Sequence, residues 1–332
     1  MFSNLPPEVA LEVFQKLSPP EAQQMLETLE QFSPDSNAAR YSNLLYSRLH
    51  SGHVVISVSE VTPPLYDVRL TPEQFAQSVK DPRFLAQCPR MLDIIFVRNL
   101  RDYVKFQDSL SLLREILAQT TVREFLGRIP RISFQLNGRS TTIYAPTSLS
   151  ASVLSTILML INVPNVETLK VNSTDIGLYF PDRWGAVFTQ FSSLKVLALS
   201  DNLLQSPPLL DRRFLWPPNL RVLSLNKNML SSFTLDLAAQ LPNSLVELDL
   251  SGNELTSMGE APQESFSLAE QLPNLRKLNL SFNPYLVRLN HRLLEGAGQM
   301  ENPLEILLEG CNITDRQGLK NVAIGEQVRL YW

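Results

Sequence analysis

The sequence predicts an α/β solenoid, in which short parallel strands stack on one another and the chain returns between them through helices or coil. The first observation is an eleven-residue pattern, L-x-x-L-x-L-x-x-N-x-L, that recurs in the C-terminal half of the 332-residue chain. The second is the step between copies, which falls near the period of about 20 to 29 residues typical of such repeats. Because one repeat cannot bury its leucines alone, the copies must stack to form a shared core.

Four copies match the pattern closely, and two match it loosely. The close copies occupy residues 194–204, 220–230, 245–255 and 275–285. A loose copy at 166–176 has Thr174 in the asparagine position, and a final copy has Ile306, Leu308 and Ile313 facing inward, with Cys311 in that position. The fourth positions, 169, 197, 223, 248, 278 and 306, are 28, 26, 25, 30 and 28 residues apart. The sequence therefore predicts a leucine-rich-repeat horseshoe.

The pattern follows from the geometry of a short strand. Successive side chains point to opposite faces, so positions four and six are buried, while positions three and five face outward. The asparagine amide carries two donors and an acceptor, and it can satisfy backbone groups where the chain turns away from the strand. We expect a stack of four such residues: Asn202, Asn228, Asn253 and Asn283.

Composition restricts the class of partner. The formal charge of -4 and the isoelectric point near 5.6 give no electrostatic reason to expect nucleic acid, whose backbone is bound by clustered Lys and Arg. The sequence has no run of eighteen uncharged apolar residues and no apolar signal core at its start, so we expect no membrane partner. We expect an intracellular protein, cytoplasmic and/or nuclear, in which Cys88 and Cys311 are reduced and partly buried.

The sequence gives little reason to expect catalysis. With 12 glycines in all, it contains no glycine-rich phosphate loop, and its histidines have no Cys or carboxylate partner at metal-ligand spacing. Glu247 and Asp249 form a carboxylate pair on one strand face, but such groups are ordinary on a solvated surface. We therefore expect a protein that is not an enzyme and that needs no cofactor or metal.

The N-terminal segment, residues 5–17, predicts an amphipathic helix with Leu11, Phe14 and Leu17 on one face. Two further helices are expected at 21–32 and 41–49. From the residues alone, this segment is a set of short helices with an apolar face, and a plain helical cap on the solenoid is one interpretation of it.

The same segment resembles an F-box of the fungal type. The resemblance rests on the start Leu5-Pro6-x-Glu8-Val9, on Phe14 and Leu17, and on the later residues 44–49 and 54–56. It departs from the family pattern in the third helix, which lacks the usual Trp, and in the loop 33–37. The resemblance implies that six residues bind a Skp-type adaptor: Leu5, Pro6, Glu8, Val9, Phe14 and Leu17.

Between this segment and the clear repeats, apolar strands are expected at 54–58, 91–97 and 132–136, with helical segments at 71–85, 107–126 and 148–161. We interpret them as irregular repeats that continue the same sheet, and a separate α/β domain is the alternative. The predicted organisation is an F-box-like helical domain at 1–50, irregular repeats at 51–165, and leucine-rich repeats at 166–332 that close with a capping strand.

The outward motif positions three, five, seven and eight of the middle repeats make no core contacts, so they are the expected binding site for a target protein. The residues are Asn226, Lys227, Glu247, Asp249, Lys277, Asn279 and Phe282. Together with the F-box resemblance, they suggest the substrate-recognition subunit of a Skp–cullin–F-box ubiquitin ligase, with the adaptor, the cullin scaffold and an unknown target as partners. The alternative is a leucine-rich-repeat scaffold or adaptor protein outside any ligase.

Overall fold

The chain folds into two compact units, Met1–Gln135 and Leu136–Trp332. The computed structural model describes residues 6–31, 37–58, 66–97, 103–138, 147–179, 187–205, 216–258 and 266–332. Within these ranges, no helix is both long and apolar enough to cross a bilayer.

Three helices open the first unit: α1 (Pro7–Lys16), α2 (Pro19–Leu29) and α3 (Asn37–Ser51). Proline in the first turn suits both α1 and α2, because the first N–H groups of a helix have no partner within it. The Glu21 carboxylate also accepts a hydrogen bond from the Ser18 N–H at 2.8 Å, which closes the start of α2. Phe14, Leu26 and Leu45 are buried where the helices meet.

Four parallel strands follow α3, in the spatial order β2-β1-β3-β4. The elements are β1 (His53–Ser57), β2 (Val68–Leu70), α4 (Pro72–Ser78), α5 (Pro82–Leu85), β3 (Met91–Val97), α6 (Tyr103–Leu117), α7 (Thr120–Arg128) and β4 (Ile132–Asn137). Three of these strands lie where the sequence predicts them. The short strand β2 is not among the predictions, and each of the expected helices 71–85 and 107–126 is divided in two.

Phenylalanines fill the space between these strands and their helices. Phe84 contacts Phe75 and Phe125 with ring centroids 6.1 and 5.2 Å apart, while Phe96 lies 6.4 Å from Phe106. Aromatic pairs at these separations add to the energy of area burial. The opposite face of the strands is also covered, and Val55 is fully buried there. The first unit therefore leaves little strand surface open to a partner.

The second unit begins with α8 (Thr147–Leu160) and continues with seven parallel strands in chain order. These are β5 (Val166–Asn172), β6 (Val196–Ala198), β7 (Val222–Ser224), β8 (Glu247–Asp249), β10 (Lys277–Asn279), β12 (Glu305–Leu307) and β13 (Arg329–Tyr331). The last of them pairs with β12, as the capping-strand prediction requires. This periodic arrangement of parallel strands is a solenoid-like α/β fold.

The return segments of the second unit differ from repeat to repeat. Within the described residues they include the helices α9 (Leu235–Gln240), α10 (Leu268–Gln271) and α11 (Arg316–Gly325), and 3-10 turns at Ile176–Tyr179, His291–Leu294 and Ala297–Gln299. A second small parallel sheet joins β9 (Ser257–Met258) to β11 (Arg288–Leu289). Side chains at the N-caps hold several of these helices, as where Thr234 accepts from the Leu237 N–H.

The strand register confirms the predicted repeat alignment. The fourth positions pair directly across neighbouring strands: Leu169 with Leu197, Leu197 with Leu223, Leu223 with Leu248, Leu248 with Leu278, and Leu278 with Ile306. All of these side chains are 1% exposed or less. Burial of each side chain stabilises the fold by about 1.5 to 3 kcal/mol, so the leucine column is the core of this unit.

The predicted asparagine stack also forms. The Asn253 amide donates to the carbonyls of Leu225 and Leu250 at 3.0 and 2.9 Å, and its oxygen accepts from the Leu230 N–H at 3.1 Å. At the two ends of the stack, other side chains take the position. Thr174 donates to Asn202, and the Cys311 thiol donates to the Leu280 carbonyl at 3.1 Å. Cys311 is buried as predicted, but Cys88 is exposed, because it lies in the connection between α5 and β3.

Candidate protein-binding surface

The parallel register aligns the outward side chains of the second unit in two rows that cross the strands. The first row is Thr168, Val196, Val222, Glu247, Lys277, Glu305 and Arg329. The second row is Lys170, Ala198, Ser224, Asp249, Asn279, Leu307 and Tyr331. Neighbouring strands lie about 4.8 Å apart, so one partner segment could contact several of them. The first row is uncharged up to β7 and then alternates in charge from β8 onward.

Four of the predicted target-binding residues lie together on two neighbouring strands. Glu247 of β8 stands opposite Lys277 of β10, and Asp249 stands opposite Asn279. The first pair is exposed, whereas the second pair is half-buried. The structure therefore places these residues on one continuous surface.

The half-buried members of the set also hold the turns after their strands. Asp249 accepts from the Ser251 N–H at 3.0 Å and from the Asn226 amide at 3.2 Å. Asn279 accepts from the Ser281 N–H at 3.1 Å. Because Asp249 and Asn279 already accept hydrogen bonds, and the Asn226 amide already donates one, these three residues contribute to a binding surface mainly by shaping it.

Three charged side chains of the predicted set remain free for a partner. Lys227, Glu247 and Lys277 are exposed, and none of them forms an ion pair within the described part of the chain. Elsewhere on the surface, by contrast, Lys195 lies 2.5 Å from Glu167. Phe282, the remaining member, follows β10 and is 57% exposed. The three unpaired charges and this exposed aromatic ring are therefore the groups of the set best able to form contacts with a partner.

Strands β12 and β13 add outward groups that the predicted site did not include. Leu307 and Tyr331 extend the second row beyond Asn279, and Tyr331 is 47% exposed. Arg329 lies 3.2 Å from Glu305 in the first row, so these two charges neutralise each other. Extending the repeat register from Leu278 through Ile306 to Leu330 would have identified these positions.

The predicted adaptor-binding residues fall into three groups. Pro6, Glu8 and Val9 are exposed at the start of α1, and Val9 is 41% exposed. Leu17 is half-buried, and Phe14, at 1% exposed, is a packing residue of the helical core rather than part of its surface. Leu5 lies outside the described residues.

A polar cluster connects these helices to the following elements of the first unit. Arg83 of α5 stacks on the Tyr46 ring at 3.9 Å and lies 2.9 Å from the Glu30 carboxylate. Burial, together with nearby Asp81, raises the pKa of Tyr46 to about 12, so its hydroxyl stays neutral. Next to it, His50 stacks on Tyr46 with ring centroids 4.0 Å apart. Burial lowers the pKa of His50 and keeps its ring uncharged.

Two histidines have carboxylate partners that the local sequence did not indicate. His53 Nε2 lies 2.9 Å from Asp93 Oδ2, and His291 Nε2 lies 3.4 Å from Asp315 Oδ2. Both partners are distant in sequence, and only the fold brings them together. The described residues contain no group of three or more potential ligands that could hold a metal ion.

Comparison with known proteins gives a limited result. No protein-family model matches the chain, and no curated protein matches it. Among solved structures, the chain is similar to the crystal structure of InlP from Listeria monocytogenes, with 17% sequence identity and a TM-score of 0.34. The similarity covers 71% of this chain and 69% of the other.

Proposed function

We propose that this chain is a non-catalytic, intracellular protein-binding scaffold that serves as the substrate-recognition subunit of a Skp–cullin–F-box ubiquitin ligase. The observation that carries the binding role is the set of exposed charges on the repeat surface, Lys227, Glu247 and Lys277, which have no ion-pair partner in the described residues. A scaffold that holds a target needs such groups, because complementary charge gives specificity and speeds association.

The adaptor-binding role rests on the F-box resemblance of the first helices. The exposed side chains at the start of α1 are Pro6, Glu8 and Val9, and an apolar group that is 41% exposed, such as Val9, suits a protein interface. In this role the helices bind a Skp-type adaptor, which connects them to the cullin, while the repeats hold the target.

The adaptor test uses the purified full chain, a purified Skp-type adaptor and a cullin. We expect a stable complex that Val9→Asp together with Glu8→Arg weakens at least tenfold, because the change puts mismatched charge on the proposed interface. Gln15→Asp, at another exposed position of α1, is the control and should leave binding intact. A wild-type chain that does not bind the adaptor contradicts the ligase role. A chain that binds its target but binds neither the adaptor nor the cullin would be the non-ligase scaffold.

The target test uses charge reversal on the repeat surface. Lys227→Glu with Lys277→Glu should leave folding intact, since both side chains are exposed, and should change the affinity for a target protein at least tenfold. Lys105→Glu, an exposed cation of the first unit, is the control. If the Lys227→Glu with Lys277→Glu variant binds the target like wild type, as the control should, the repeat surface around these two lysines is not the binding site.

A further inference from the structure

The residue at motif position eight lies in the turn after each strand, and in six repeats it has the same unusual backbone conformation. At motif position eight, φ is 54° for Ser173, Asp201 and Lys227, 59° for Phe282, and 64° and 69° for Gly252 and Gly310. This left-handed region suits glycine, and it is unfavourable for a bulky side chain. Phe282 is the largest residue in this column. Backbone strain at a large exposed side chain motivates a hypothesis that the side chain has a function.

The following repeat holds the Phe282 ring in place. A Cβ atom placed on Gly310 would lie 2.9 Å from Cδ1 of Phe282, so the ring lies directly over this glycine. Lys227 lies over Gly252 in the same way, with Cγ 3.2 Å from the corresponding position. The glycine therefore supports the ring, while 57% of its surface stays exposed. A ring that is already fixed loses little freedom when a partner binds.

The surroundings of the ring are apolar and acidic. The Phe282 N–H donates to the Glu309 carbonyl at 2.6 Å, which places the backbone of Glu309, two residues after β12, beside that of Phe282. Glu309 is exposed and has no ion-pair partner in the described residues. Leu307 precedes it on the outward face, opposite Tyr331 of β13. The cation of the same strand, Lys277, lies at the other end of β10, five residues before Phe282.

We propose that Phe282, Leu307 and Glu309 form a surface site that binds a lysine or arginine side chain of the protein partner. The cation would lie over the face of Phe282, its aliphatic stem would cover Leu307, and the Glu309 carboxylate would pair with its charge. An acidic partner would meet the unpaired Glu309 carboxylate here, so the local charge favours a basic segment. This inference rests on the proposed role of the repeats as the partner-binding surface, and it is independent of the adaptor.

The test uses the purified chain without adaptor, so that its outcome is separate from the ligase role. The probes are three twelve-residue Gly/Ser peptides that carry two central arginines, two citrullines or two glutamates, and binding is followed by fluorescence anisotropy at low and high salt. We expect saturable binding of the arginine peptide that is at least fivefold tighter than that of the citrulline peptide and that weakens with salt. The glutamate peptide should not bind.

Two variants locate the site. Phe282→Gly and Glu309→Gln should each weaken binding of the arginine peptide at least fivefold while the melting temperature stays at or above that of wild type. Glu301→Gln, at another exposed carboxylate, is the control and should bind like wild type. Equal binding of the arginine and citrulline peptides, no binding of either, or unchanged binding by Phe282→Gly would each overturn the proposal.

Discussion

The side-chain oxygen of Asn228 accepts hydrogen bonds from the backbone N–H groups of Asn202 and Leu204, at 2.9 and 3.0 Å. Its amide nitrogen donates in turn to the carbonyls of Leu199 and Leu225, at 2.9 and 2.8 Å. One side chain thus satisfies buried backbone groups in its own repeat and in the one before. The turn of each repeat is therefore completed by the next, which makes neighbouring repeats depend on each other for stability.

Removing the Asn228 amide should lower the stability of the protein substantially. Asn228→Ala leaves two buried N–H groups without a partner, and each unsatisfied group costs about 1 to 3 kcal/mol, so we expect a loss of about 3 kcal/mol in the free energy of unfolding. Denaturant unfolding followed by circular dichroism measures it. Asn312→Ala is the control, because Asn312 is exposed and donates one bond, to the Pro284 carbonyl. Similar losses in both variants would contradict the role of the stack.

The leucine column provides a second test of the repeat register. Leu250 is 1% exposed, at the sixth motif position. Leu250→Asp would bury a carboxylate without a partner, and we expect it to cost several kcal/mol and to unfold at least the adjoining repeats. The neighbouring change Glu247→Gln, at an outward position, should leave the melting curve unchanged. A wild-type melting curve for Leu250→Asp would show that the register is wrong.

The sequence was most informative where one interaction repeats. Leu223 and Asn228 belong to a pattern with a fixed spacing, and that spacing alone predicts which side chains are buried and which backbone groups they satisfy. The first unit lacks this regularity. The pairing of His53 with Asp93 depends on contacts between segments far apart in sequence, which no local pattern shows. The amphipathic pattern placed Phe14 on an apolar helix face, but it did not show whether that face packs in the core or against a partner. Strand β2 is three residues long, too short for a periodicity to identify it.

At the candidate binding surface, too, the sequence predicted some features and not others. Exposure of Glu247 and Lys277 followed from strand alternation alone, because outward strand positions make no core contacts. Lys227 lies in the turn after β7, where its place in the repeat pattern predicted exposure. That Asp249 and Asn279 also hold turns could not be read in advance, since a side chain of this type can bond to nearby backbone or face solvent equally well. The contribution of Leu307 and Tyr331 was missed because the last repeats depart from the leucine and asparagine pattern.

Acid should destabilise the first unit through His50. Burial lowers the pKa of His50 in the folded protein below its ordinary value of 6.5, so the unfolded chain binds a proton more readily. The stability contribution of the neutral ring is complete above pH 6.5, and it declines as the pH falls below that value, by at most about 1.4 kcal/mol per pH unit. We expect His50→Leu to have a flatter dependence of unfolding free energy between pH 6.5 and pH 5. Equal slopes in the two proteins would contradict this assignment.

The two cysteines should differ in reactivity. Cys88 is exposed, whereas Cys311 is buried, and burial raises the pKa of the Cys311 thiol. Because the thiolate is the reactive form, a disulfide reagent at pH 8 should modify Cys88 at least tenfold faster in the native protein. Mass spectrometry of the labelled peptides measures both rates. In denaturant the two rates should become equal, and a fast Cys311 in the native protein would contradict its place in the asparagine stack.

Phe282 and Gly310 offer a test of backbone strain that separates stability from binding. Within a strand or helix, alanine is usually more stable than glycine by about 0.5 to 1 kcal/mol. At Phe282 the order should be reversed, because φ is 59° and a left-handed conformation costs an L-residue about 1 to 2 kcal/mol that glycine avoids. We therefore expect Phe282→Gly to be more stable than Phe282→Ala by about 1 kcal/mol in denaturant unfolding.

The converse change, Gly310→Ala, combines the strain of φ 69° with a Cβ atom 2.9 Å from the Phe282 ring, and it should cost more than 1 kcal/mol. In the double variant Phe282→Gly with Gly310→Ala the steric part should disappear and only the strain should remain. A Phe282→Ala protein as stable as Phe282→Gly would mean that this turn stores no strain, and backbone strain would then give no support to a binding role for Phe282.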